Sequence, residues 1–131
     1  MTLFAEALFT FLTSAGTSAG SRIYPQQLPQ GVTLPAIRYQ KISDPSDATM
    51  TGPSALRHPR YQLDCYADGD NAYLSAAALA DQVITALDGY SGVMSGITVF
   101  ASFQQDTRDN YDTETGRFWQ SVDLIIWHQK V

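Results

Sequence analysis

The chain has 131 residues, enough for one domain, and 44% of them are hydrophobic, so a core can form without disulfide support. A net charge of −5 disfavours a protein that coats nucleic acid, because phosphate binding needs a concentrated basic surface. Only 16% of residues are charged, which leaves much of the surface uncharged, as suits a protein that works in contact with others.

A first helix opens the chain, with Leu3 to Leu12 as its apolar run, Thr2 as its cap, Glu6 at its positive end and Gly16 to Gly20 ending it. Phe4, Leu8, Phe11, Leu12 and Ala15 form its apolar stripe. Leu3 and Phe9 lie off that stripe, so the helix needs two covering elements or a second subunit. The apolar run has no basic leader and is interrupted by Glu6, which argues for a cytosolic helix over a signal peptide. No stretch is long enough to span a bilayer.

After the helix, Arg22-Ile23-Tyr24-Pro25 is a short extended piece. Pro25, Pro29, Gly31 and Pro35 then make a loop that cannot join a central strand. Ala36 to Ser43 alternates as a strand, with Ile37 and Tyr39 on one face and Arg38 and Gln40 on the other. Residues 44–58 show neither helical nor strand period. A connection of that length is usually functional or disordered, and it is expected to project as an arm.

The stretch from Pro59 to Leu87 organises the rest. Tyr61, Leu63, Cys65 and Ala67 share one face of a strand, which makes Cys65 a buried thiol; with no second cysteine, a reducing compartment is expected. Asp70 is the expected cap of a helix over about 71–88, and Gly89 its left-handed stop. Ala72, Ala76, Leu79, Ala80, Val83 and Leu87 form its stripe. Ile97, Val99, Ala101 and Phe103 alternate as the next strand, and residues 106–116 read as a polar connection. Phe118 to His128 is the last strand: Val122, Leu124 and Ile126 occupy one face, and Trp119, Asp123, Ile125 and Trp127 the other. Apolar residues on both faces imply a central strand or a neighbouring subunit. The order α-β-β-α-β-β predicts a single α+β domain over 1–131. It has a four-stranded, mostly antiparallel sheet with two helices packed on one face and a long loop, 44–58, between the first two strands.

No catalytic pattern emerges. One cysteine and the isolated His58 and His128 make no zinc set, and Ser14, Ser18 and Ser21 have no nearby base. Asp106, Asp109, Asp112 and Glu114 could gather around a cation, but their spacing is not that of an EF-hand, and a solvated turn explains them as well. Arg57 and Arg60 suit salt bridges or a subunit contact better than DNA, and Arg108 and Arg117 bracket the acidic stretch. Asp123, set among apolar residues, should have a specific partner.

Four stretches, in order, resemble the phage tail-completion proteins. They are Arg22-Ile23-Tyr24-Pro25 with Pro29-Gln30-Gly31 and Leu34-Pro35-Ala36-Ile37-Arg38-Tyr39-Gln40; Arg60-Tyr61-Gln62-Leu63-Asp64-Cys65-Tyr66-Ala67; Asp109-Asn110-Tyr111-Asp112-Thr113-Glu114-Thr115; and Asp123-Leu124-Ile125-Ile126-Trp127. The resemblance implies a non-enzymatic virion protein, made in the bacterial host cytoplasm, that forms a homo-hexameric ring. Such a ring caps the tail tube and offers a docking face to the head connector, with DNA passing through it unbound. No cofactor, metal or membrane partner is implied. Candidate contact residues are Phe9 on the first helix, Met50, Leu56, Arg57 and His58 on the arm, and Trp119, Asp123 and Trp127 on the last strand. Two other readings stay open: a small-molecule or metal-binding domain using His58 and the acidic stretch, or an adaptor elsewhere in the neck or tail.

Overall fold

A computed structural model describes residues 3–50, 52, 53 and 55–130; Thr2 lies outside them. Helix α1 (Phe4–Ser14) opens the chain, with the Leu3 backbone N–H donating to the Glu6 carboxylate at 3.1 Å. Strands β1 (Ile23–Pro25) and β2 (Ala36–Ser43) follow. The arm then carries a small hairpin, β3 (Ala48–Thr49) and β4 (Gly52–Pro53), and a two-residue strand, β5 (Leu56–Arg57). Next come β6 (Arg60–Ala67), helix α2 (Ala72–Leu87), β7 (Gly92–Met94), β8 (Ile97–Asp112) and β9 (Arg117–Gln129).

The expected four-stranded sheet with two helices on one face is replaced by a seven-stranded mixed sheet in the order β1-β2-β6-β9-β8-β7, with β5 also paired to β9. β1 runs parallel to β2, and the other pairings are antiparallel. α1 touches both β1 and β7, the two outer strands, so the sheet curls into a half-barrel with α1 across its mouth. α2 lies along the central strands β6, β9 and β8. β1 coincides with the short extended piece read at 22–25, whereas β5 and β7 were illegible as strands because two or three residues are too few to show a period. β5 in particular continues the line of β6 along β9 past the His58-Pro59 break, where Pro59 still accepts from the Ile126 N–H at 3.1 Å.

β8 differs most from expectation. It runs through the acidic stretch to Asp112, so the polar connection is mainly strand, and only the turn at 113–116 joins it to β9. Two register shifts, between Val99 and Ala101 and between Gln104 and Asp106, interrupt its alternation. Each bulge exchanges the two faces. Ile97 and Val99 therefore point into the core, whereas Ala101 and Phe103 pair with Trp127 and Ile125 on the outer face. α2 ends against the free edge of β8: the Gly89 N–H donates to the Ser102 carbonyl at 2.6 Å, and Asp88 Oδ1 accepts from the Gln104 N–H at 3.0 Å. Gly89, at φ +76°, makes the left-handed stop. Asp70 is not the cap; the capping residue is Asn71, which makes no side-chain capping bond.

One core joins Phe4, Leu8 and Leu12 of α1, Leu79, Val83 and Leu87 of α2, and the inward residues Tyr61, Leu63, Cys65, Val122, Leu124 and Ile126. Burial pushes the Cys65 thiol well above its ordinary pKa and the Tyr61 hydroxyl up to about 12, so neither ionises near neutrality. His128 closes one end of this core. Its ring stacks flat on Phe4 with centroids 4.0 Å apart, and Nδ1 lies 2.7 Å from the Gln129 carbonyl oxygen.

Burial holds His128 below the usual histidine pKa, a push that the bond to the Gln129 carbonyl and the nearby Asp44 oppose and that Arg57 and Lys41 add to. On acidification the unfolded chain therefore takes up this proton before the folded chain does. Stability contributed by neutral His128 is present above the unfolded pKa, near 6.5, and is lost as pH falls below it. Chemical denaturation of wild type and His128→Gln between pH 7.5 and 5 should show a shallower loss of stability in the variant. The difference is bounded at about 1.4 kcal/mol per pH unit; equal slopes would contradict it.

Candidate interaction surfaces

The sheet face turned away from the helices divides into a charged middle and apolar ends. In the middle, two carboxylates are buried in neighbouring strands, Asp64 on β6 and Asp123 on β9. Arg38 on β2 donates through Nε to Asp64 Oδ2 at 2.9 Å, and its terminal nitrogen contacts the same oxygen. Asp64 Oδ1 accepts from Ser121 Oγ at 2.6 Å and from Gln62 Nε2 at 2.9 Å. Asn110 on β8 donates to Ser121 Oγ at 3.0 Å. One step along, Asp123 Oδ2 accepts from Arg60 Nη2 at 3.1 Å and from Arg108 Nη1 at 2.8 Å. Arg108 also reaches Asp106, at 3.1 Å.

The result is a ladder of ion pairs across β2, β6, β9 and β8. The long arginine side chains cover the carboxylates while their heads stay partly in water. Burial raises the Asp123 carboxyl pKa, but the bonds and charges of Arg108 and Arg60 outweigh it and hold the group below the usual carboxylate range. The partner expected for Asp123 is thus a pair of arginines from the two flanking strands.

At the β5 end of the face, Leu56, Phe100, Ala101, Phe103 and Trp127 line an open groove of about 590 Å³. Phe100 and Phe103 remain 55% and 48% exposed. The His58 ring stacks on Trp127 with centroids 4.5 Å apart, and Asp47 lies 2.9 Å from His58 Nε2. Arg57 donates to Ser46 Oγ at 2.8 Å and lies 3.9 Å from Asp44, which also pairs with Lys41 at 3.2 Å. The root of the arm is therefore tied to β5 and β2, while Met50 at its tip is fully exposed. At the opposite end of the face Trp119 stacks on Tyr66 with ring centroids 5.1 Å apart, while on the helix side of the sheet Phe118 packs on Tyr111 at 4.5 Å.

Of the residues singled out from sequence, the fold brings Leu56, Arg57, His58 and Trp127 together. Trp119 lies eight residues up β9 from Trp127, about 27 Å away along a strand. Asp123 stands between them, and Phe9 is partly exposed on α1. Phe103 was missed because the bulge that turns it outward leaves no sequence period; Phe100 faces outward under plain alternation as well and was not singled out. Asp64 and Arg108 were missed as a set because their meeting depends on cross-strand register.

Asp106, Asp109 and Asp112 are spread along β8, each carboxylate in bonds of its own, and Glu114 lies in the turn that follows. Asp106 takes the Thr107 N–H, Asp109 takes Tyr73 Oη and Gln120 Nε2, and Asp112 takes the Glu114 N–H and Thr115 Oγ1. Among the described residues no three histidine, cysteine or acidic side chains are grouped to hold a metal ion. The groove is open and has no convergent polar groups, unlike an enclosed small-molecule pocket.

A curled sheet with a charged middle and exposed aromatic ends defines a protein that acts through its surfaces, as assembly components do. The family model described as tail completion protein gp17 matches residues 6–129, and the chain belongs to that family. It is accordingly a structural protein of the phage virion, located at the tail. A chain in the solved structure titled "Virion of native gene transfer agent (GTA) particle" has the same fold. Its TM-score is 0.62 over 95% of both chains, at 17% sequence identity. Among curated proteins none matches the chain.

Replacing Asp123 with Ala leaves Arg60 and Arg108 without their shared carboxylate and should cost about 2 kcal/mol. Asp109→Ala, at an exposed site, should cost under about 1 kcal/mol. Urea unfolding of both variants checks the order; equal losses would contradict the ladder's role.

Proposed function

We propose that the chain forms a homo-hexameric ring that caps the finished tail tube and presents a docking face to the head connector. Membership of the tail completion family over residues 6–129 is the observation that carries this reading. The surface supports it. A ring of like subunits needs two different faces on each copy, one meeting the other around the axis. This chain exposes apolar side chains in separated places: Phe100 and Phe103 on the outer face, Tyr73 and Leu74 on α2, and Leu3 and Phe9 on α1. The net charge of −5 suits a passage through which DNA slides, because an acidic or neutral lining does not hold phosphate. No enzymatic step is needed for any of this.

Native mass measurement and electron microscopy of the purified chain, alone and mixed with tail tubes, test the reading. The expected result is a six-fold ring seated at tube ends. A chain that stays monomeric at every concentration and leaves tube ends bare would contradict it.

A further inference from the structure

The arm and the outer groove are complementary. Among the described residues β3 and β4 pair through Ala48 with Pro53 and Thr49 with Gly52, in a sheet separate from the main one. So short a hairpin is not stable in water by itself. Its root is nevertheless fastened, through Asp44, Ser46 and Asp47 to Lys41, Arg57 and His58. Its turn holds out Met50, whose unbranched, polarisable side chain adapts to irregular apolar sites. The groove offers such a site, walled by Phe100, Phe103, Trp127, Ala101 and Leu56.

Charge makes the same match. No charged residue occurs from Ala48 to Leu56, and none lines the groove, so bringing tip and groove together buries no unpaired ion. Leu56 follows β4 by three residues, which sets arm and groove at one end of the molecule.

We propose that the tip of the arm, with Met50 at its apex, inserts into the groove of a second copy of this chain. The proposal rests on the ring reading above and supplies one of its contacts. Copies related by rotation each give one tip and receive one, the heterologous arrangement that closes on itself. A hairpin tip buries far less than the roughly 1,200 Å² of a stable specific interface, so it fixes which neighbour is held and in what register, alongside broader contacts.

The test uses the full chain with Met50→Cys and Phe103→Cys together, the native Cys65 being buried. Assembled protein is oxidised, and oligomer size and covalent species are measured on the same sample. The double variant should give a disulfide ladder extending to the closed ring, whereas each single variant stops at dimers. In addition, Met50→Asp should raise the concentration needed for assembly at least ten-fold with an unchanged melting temperature. Rings of normal size that give no ladder, with Met50→Asp assembling like wild type, would overturn the arm contact and leave the ring intact. Wild-type protein that never forms rings, even on tail tubes, would overturn both.

Discussion

Asp123 lies in the middle of β9, clasped by an arginine from each neighbouring strand, because β9 must be covered on both faces while helices pack against only one of them. Its inner side, Val122, Leu124 and Ile126, is completely buried in the common core. Its outer side has no layer above it, and the side chains of β2, β6 and β8 supply the cover instead. A carboxylate there would be costly alone, but two guanidinium groups hold it ionised. The same solution recurs one strand over, where Arg38 covers Asp64. These cross-strand ties fix register, since a slip of one residue would turn each carboxylate into the apolar core.

That arrangement also divides the outer face. The charged middle is satisfied within the chain, and its ends are left to aromatic side chains. One end, around Phe100, Phe103 and Trp127, adjoins the fastened root of the arm; at the other, Trp119 stacks on Tyr66. The free edge of β8 is guarded by the last turn of α2 and by Asp106, Arg108 and Asp112, a common defence against unwanted strand pairing.

Much of the inner face was legible. Ala72, Ala76, Leu79, Ala80, Val83 and Leu87 are all buried, as their helical spacing implies, and so are Tyr61, Leu63 and Cys65, as their alternation implies. The sheet was not legible in full. β5 and β7 are too short to show a pattern, and β8 changes faces twice at bulges that local sequence does not announce. The same bulges hid the groove, because strict alternation puts Ala101 and Phe103 inside. Leu56 and His58 could be suspected from the unusual length of the arm. Their meeting with Trp127 follows only from β5 pairing with the end of β9.

The central claim is that this chain works by joining its outer face to other protein, and oxidative footprinting of the free chain against assembled tails tests it most directly. The account predicts that Phe100, Phe103 and Trp127 are labelled in the free chain and protected on assembly, while Ile42 on β2 changes little. Equal labelling of the three aromatic residues in both states would contradict it.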